Sequence, residues 1–318
     1  MIEISHLVKK YGGHTAVDDL SLTVEPGRIY GFLGPNGAGK STTMNIMTGY
    51  LGATSGTVKI NGYDIFTQPE EAKKCIGYLP ELPPLYMDMT VREYLNFVAE
   101  LKKLDKKERK QLIDEAMETT KISELQTRLI RNLSKGYRQR VGFAQAILGY
   151  PEIIILDEPT VGLDPKQIIE IRELIRELGK KHTVILSSHI LTEVSAVCDY
   201  IFILSKGKLV ASDTTENLLN EMSGAQEIGL LVEGERERAM SAIGEIADVE
   251  KIKAVETTEE AAVQLAVLAK KGCDIRKKLF HACVDNGLCI LEMSQMTRSL
   301  EDIFLELTES TKSGQEEA

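Results

Sequence analysis

No apolar run in this sequence approaches the ~18 residues of a membrane-spanning helix, which excludes an integral membrane chain of the helical kind. The N-terminus, Met1-Ile2-Glu3-Ile4-Ser5, lacks a basic segment followed by an apolar core, so no export signal is expected. The five cysteines (75, 198, 273, 283 and 289) are odd in number and form no C-x-x-C pair. That excludes a disulfide framework and reads as reduced, structural thiols in a cytoplasmic protein. A basic field is missing too: the formal net charge is −10. Residues 221–318 hold 20 acidic and 11 basic side chains, leaving residues 1–220 close to neutral. Neither part offers the positive surface that general nucleic-acid binding needs. What remains is an ordinary globular chain, 43% apolar over 318 residues, with room for one large domain or two of moderate size.

The most informative segment is Gly34-Pro35-Asn36-Gly37-Ala38-Gly39-Lys40-Ser41, followed by Thr42. It matches G-x-x-x-x-G-K-[ST], the loop that wraps the phosphates of a nucleoside triphosphate. Its glycines let consecutive N–H groups turn inward as an anion site. Lys40 is placed to reach the β- and γ-phosphates, and the Ser41 hydroxyl to ligate Mg²⁺. The apolar run 28–33 before it reads as a buried strand and residues 41–49 as a helix. The phosphates would therefore sit on a helix N-terminus, where unpaired N–H groups favour negative charge.

Short β-rich runs at 2–8, 16–24, 28–33 and 57–60 are separated by turns such as Tyr11-Gly12-Gly13 and Asn61-Gly62. Residues 90–132 read as several helices, with Thr90 as an N-cap and Glu93 three residues on. A buried strand at 153–156, a helix at 165–178 and a strand at 183–187 imply a parallel sheet covered by helices. The pattern resets after Asp213, with a boundary expected near Gly224. Beyond it the spacing gives strand 227–233, helix 235–246, strand 249–256, helix 274–286, strand 288–293 and helix 298–309. The apolar segment 261–268 fits strand or helix by period. This order suits a ferredoxin-like sandwich, with a frayed tail from Ser310.

A phosphate loop alone does not fix the chemistry; two later segments narrow it. Ile153-Ile154-Ile155-Leu156-Asp157-Glu158 is an apolar strand ending in two carboxylates. Asp157 at its carboxyl end is expected to face Mg²⁺ beside Ser41, and Glu158 to polarise the attacking water. Leu133-Ser134-Lys135-Gly136-Tyr137-Arg138-Gln139-Arg140 comes shortly before them.

With that segment, residues 1 to about 220 resemble the ATP-binding cassette (ABC) family, whose signature is L-S-G-G-Q. The resemblance assigns Tyr11 to stacking on adenine and Gly34–Thr42 to the phosphates. It makes Ser134 and Gly136, with Gln139 behind them, the site that faces the γ-phosphate of a second subunit. Pro159–Asp164 matches the loop that crosses the dimer interface, which makes Asp164 a site residue. Ser187-Ser188-His189 supplies the switch histidine, His189. Two departures stand out: Lys135 and Tyr137 replace a glycine and a glutamine, and Glu81 stands where the family has a glutamine. A carboxylate there can still ligate Mg²⁺ or orient water. Both departures, with Leu82-Pro83-Pro84-Leu85-Tyr86 and the C-terminal residues 299–307, are similar to the branch serving ABC-2-type exporters.

The resemblance implies an α/β fold. Its P-loop NTPase core is a mostly parallel sheet with flanking helices, joined by an N-terminal antiparallel β part and a helical subdomain at about 90–145. An accessory α+β domain over 221–310 and a tail at 311–318 complete the expected organisation. The implied function is an ATP hydrolase that binds ATP and Mg²⁺ and works as a dimer, homo- or heteromeric. It would sit at the inner face of the cell membrane on separate ABC-2-type permease subunits. Cassette proteins that act on ribosomes or DNA are the rival class. They carry two cassettes or a long coiled-coil insertion, whereas this chain has one cassette and 93 residues between Lys40 and Ser134.

Overall fold

The computed structural model describes residues 1–218, 227–255, 262–270 and 272–296. The chain divides into two compact units, Met1–Thr215 and the remainder from Glu216.

The first unit is built on two sheets. An antiparallel sheet contains β1 (Ile2–Tyr11), β2 (His14–Val24), β4 (Ser55–Ile60) and β5 (Tyr63–Asp64), in the order β2-β1-β4-β5. Along β2, Leu20, Leu22 and Val24 are buried while Ser21 and Thr23 face water, the period of two that puts one face in the core. The second sheet holds β3 (Ile29–Leu33), β6 (Ile76–Leu79), β7 (Ile153–Leu156), β8 (Thr183–Ser188), β9 (Tyr200–Ser205) and β10 (Lys208–Thr214), in the order β10-β9-β3-β8-β7-β6. Every pair is parallel except the β9–β10 hairpin at the edge. All residues of β3, β7 and β8 are buried, which fits the apolar runs of β3 and β7 and the Val184–Leu186 centre of β8. The sequence reading had no strand at β6, β9 or β10.

Between the sheets runs α1 (Lys40–Met47), whose Met44, Ile46 and Met47 are fully buried. They share one apolar cluster with Ile2, Leu7 and Val17 of the antiparallel sheet and with Phe32, Ile155 and Phe202 of the parallel one. The Phe32 and Phe202 rings lie 5.2 Å apart, and Tyr30 stacks on Phe202 at 5.7 Å. This cluster fixes the height at which the strands of the parallel sheet end.

After β6 the chain enters helices: α2 (Pro69–Lys74) precedes it, and α3 (Val91–Leu101), α4 (Arg109–Thr119) and α5 (Lys135–Ile147) follow. Thr90 caps α3 as expected. Its hydroxyl accepts from the Glu93 N–H, and the Glu93 carboxylate accepts from the Thr90 N–H at 2.8 Å. The end of α3 is tied to the end of α5 by Lys102. Its ammonium donates to the carbonyls of Gln145, Ala146 and Leu148 at 2.7–3.3 Å, satisfying oxygens that the helix leaves without partners. Burial holds the Lys102 pKa down to about 8. Helices α6 (Pro165–Gly179) and α7 (Leu191–Val197) complete the unit.

The second unit contains β11 (Glu227–Glu233), α8 (Arg236–Gly244), β12 (Val249–Val255), β13 (Ala262–Ala269), α9 (Arg276–Asp285) and β14 (Cys289–Met296). Its sheet order is β12-β13-β11-β14 and every pair is antiparallel, the ferredoxin-like arrangement. The segment that fitted either period is a strand. It pairs on both edges, and Leu265, Val267 and Ala269 point into a core with Ile243 and Leu279. The expected helix 298–309, the tail from Ser310 and the Gly224 boundary lie outside the described residues.

Replacing Lys102 with Met keeps the apolar stem and strands three carbonyls. We expect a loss of about 2–3 kcal/mol of stability in the first unit, read as a lower denaturation midpoint.

Candidate active site

Sheet register builds this site. Strands β3, β8 and β7 run parallel, with Phe32 level with Ser187 and Leu156 level with Leu186. The loop Gly34–Gly39, Ser187 and Asp157 therefore leave the sheet at one level, at the carboxyl ends where open α/β sheets bind ligands.

The phosphate loop passes from β3 into α1 through Gly39, at φ 98°. A side chain is excluded there by conformation and by space, because a Cβ would lie 2.6 Å from the Ala16 carbonyl oxygen. Lys40 is 6% exposed. Its ammonium donates to the Gly34 carbonyl at 2.7 Å and the Pro35 carbonyl at 3.2 Å, and lies 3.7 Å from the Glu158 carboxylate. Burial lowers the Lys40 pKa, and the Glu158 and Asp157 charges oppose that shift.

The two carboxylates are joined through a residue to which the sequence reading gave no role. The Ser187 hydroxyl donates to Asp157 Oδ1 at 2.6 Å and accepts from the Glu158 N–H at 2.9 Å. Ser41 Oγ also donates to Asp157 Oδ1, at 3.1 Å. Asp157 is 4% exposed, and among the described residues no ion pair neutralises it. A buried carboxylate with only hydroxyl donors suits a hard cation. Among the described residues no cluster of three His, Cys, Asp or Glu side chains gathers here, so a cation would need ligands from the substrate and water.

Glu158 adopts φ 47°, a conformation rare outside glycine. Its carboxylate meets His189 Nδ1 at 3.0 Å, so the imidazole is oriented against it. A buried network continues behind: Glu193 accepts from Ser188 at 3.2 Å and from Thr160. Strain in the backbone at Glu158 is thus held by contacts on both sides.

A cleft of about 540 Å³ opens over these groups. Its lining brings together Tyr11, Asn36 to Thr42, Glu81, Glu158 and His189. Tyr11 is half-exposed, with the Lys9 ammonium 5.0 Å from its ring centroid. Seven expected residues lie outside this lining: Gly34 and Pro35, whose carbonyls hold Lys40, Asp157, which is held by Ser41 and Ser187, and Ser134, Gly136, Gln139 and Asp164. Ser134 is the N-cap of α5, its hydroxyl accepting from the Tyr137 N–H. Gly136 is buried beside Gln167, and Asp164 caps α6 by accepting from the Gln167 N–H at 3.0 Å. Gln139 is buried, and its amide donates to the Pro159 carbonyl at 3.0 Å, so its polar end is occupied within the protein.

Because Ser187 bonds both the Asp157 carboxylate and the Glu158 N–H, Ser187→Ala leaves a buried carboxylate short of a donor. Turnover should fall about 10- to 100-fold with folding intact, measured as phosphate release beside a thermal melt.

The "ABC transporter" family profile matches residues 17–161. The bacitracin transport ATP-binding protein BcrA of Bacillus licheniformis is 35% identical over 310 residues, covering 96% of this chain and 97% of that one. The linearmycin resistance ATP-binding protein LnrL of Bacillus subtilis is 32% identical over 312 residues, with 98% and 99% covered. Among solved structures, an ATP-binding subunit of an ABC transporter superposes with a TM-score of 0.64 at 30% identity. It covers 70% of this chain and 93% of that one. A dimeric bacterial ABC transporter cassette shares the fold, with a TM-score of 0.62 at 24% identity, over 68% of this chain and 99% of that one. The chain belongs to the ABC transporter family, as an ATP-binding subunit that hydrolyses ATP.

Proposed function

We propose that this protein is the ATPase subunit of an ABC-2-type exporter, in which two cassettes close on two ATP molecules and reopen after hydrolysis. One observation carries the two-cassette part. The cleft gathers the phosphate loop, Glu158 and His189, while Ser134 and Gly136, a second anion-binding helix start, lie outside its lining. A second copy, or a related subunit, supplies that half. The relatives named for bacitracin transport and linearmycin resistance support the exporter part, because they match along the accessory region as well as the cassette. We place the functional boundary near residue 220, with the helical subdomain at about 90–145 and the accessory domain over 221–310.

In the proposed mechanism Tyr11 stacks on the base, and the N–H groups of Gly34 to Thr42 hold the phosphates. The Lys40 ammonium exchanges its carbonyl partners for phosphate oxygens. Glu158 takes a proton from water as the water oxygen bonds to the γ-phosphorus and the bond to ADP breaks. His189 keeps Nδ1 on Glu158 and offers its other ring nitrogen to the γ-phosphate. Ser41, Asp157 and Glu81 would hold Mg²⁺, which when bound supplies neutralising charge to the phosphates. Asp164 and its loop face the partner cassette.

The output runs through Glu81, which lines the nucleotide cleft and a neighbouring groove of about 870 Å³. That groove also holds Tyr50 and Leu82, 83% and 79% exposed, beside Lys73 and Tyr78. Large apolar side chains left in water at a groove mark an interaction site. We assign it to a cytoplasmic segment of the permease, the protein's only link to the membrane; no nucleic acid takes part. Among the described residues no helix is long and apolar enough to cross a membrane.

Glu158→Gln should lower steady-state ATPase at least about 100-fold and produce an ATP-dependent dimer on size exclusion. A variant that stays monomeric at saturating ATP sinks the two-cassette reading. Tyr50→Glu should reduce co-purification with the permease from detergent; unchanged recovery removes the groove from the interface.

A further inference from the structure

The face of α5 behind the signature is fastened to the chain's own loop after Glu158. Gln139 stands one turn beyond Lys135, and its amide holds the Pro159 carbonyl at 3.0 Å. Lys135 reaches across to Gly162, which sits at φ 70° and whose missing Cβ leaves the space the ammonium occupies. Among the described residues Lys135 has no ion pair or hydrogen bond. Gly136 packs against Gln167 in the same way: a Cβ there would be 2.6 Å from the amide oxygen. One turn deeper, Arg140 bonds Glu170 at 2.6 Å and the Thr120 carbonyl at 3.0 Å. So the signature, the loop Pro159–Asp164 and the start of α6 are joined at four points.

We propose that Gln139 is a positioning residue that sets the geometry of Glu158 according to what the signature of the same chain holds. The inference rests on the two-cassette reading. The backbone at Glu158 is anchored on one side by Ser187 and on the other by Gln139 through Pro159. Its φ of 47° is a conformation that persists only where its surroundings impose it. When a partner's γ-phosphate docks on Ser134 and Gly136, α5 shifts, and Gln139 carries the shift to the backbone that aims the Glu158 carboxylate. Each cassette is thereby made ready by the ATP in its partner's cleft, and turnover becomes cooperative. The Lys135 contact gives this signature a second link that glycine at the same position lacks.

The test is Gln139→Met, which keeps the length and removes the donor. ATP affinity at the cleft, measured by calorimetry, should stay within about twofold, because Gln139 lies outside its lining. The kcat should fall about tenfold and the Hill coefficient for ATP should drop towards one, since misplacing a catalytic group is costly in rate. A residue that merely fills space would alter stability and leave cooperativity in place. If Gln139→Met does not fold, exposed Lys135→Ala carries the test, with a smaller fall in kcat and the same loss of cooperativity. Wild-type kcat and Hill coefficient in the folded variants, or a change confined to KM, overturn the proposal. The Glu158→Gln dimer assay separates the two ideas: a monomer removes the two-cassette reading, whereas a normal dimer with unaffected Gln139 variants removes only this coupling.

Discussion

The buried approach of the Lys40 ammonium to the Glu158 carboxylate organises the nucleotide-binding unit. Both side chains are almost fully excluded from water, and 3.7 Å separates them. Such a pair contributes little net stability, because removing two charges from water costs about as much as their attraction returns. Its value lies in what each partner can exchange. Lys40 is also held by two carbonyls, so its charge is placed before any phosphate arrives. Glu158 is held by His189 and by its own unusual backbone, so its carboxylate already lines the cleft. Preorganised charge of this kind is the usual source of rate in phosphoryl transfer.

That contact is possible only because the core sets strand ends to a common level. Phe32, Phe202 and the methionines of α1 pack the space between two sheets, and the sheet register follows. A one-residue slip of β7 against β8 would move Asp157 away from Ser187 and turn its side chain to the other face. The apolar core and the polar site are therefore one construction, with packing fixing the height and hydroxyl groups tuning the carboxylates.

The sequence revealed those parts of the site whose geometry is local. The loop from Gly34 to Ser41 is contiguous, and its glycines and the helix that follows dictate an anion site wherever the loop occurs. The pairing of Thr90 with Glu93 was legible for the same reason. The hairpin of β9 and β10 was not read although its own pairing is local; what places it in the sheet is the pairing of β9 with β3, a neighbour far away in sequence. The segment 261–268 had a period that fitted either structure, and two paired edges decided for a strand over Ala262–Ala269. Gln139 shows the limit most clearly. Its place behind the signature suggests a nucleotide contact, yet its amide turns inward to Pro159.

By itself, then, the sequence determined that this chain binds and hydrolyses a nucleoside triphosphate, and it named the residues we propose for hydrolysis and for a second half-site. Those properties follow from residue type and short spacing, which local backbone geometry enforces. Tertiary structure alone decided that Ser187 joins the two carboxylates and that Glu158 meets Lys40 and His189. It also fastened the signature to the loop beyond Glu158. Each of these links joins segments tens of residues apart or more, and only the register of buried strands and the packing of α5 bring them within hydrogen-bond reach.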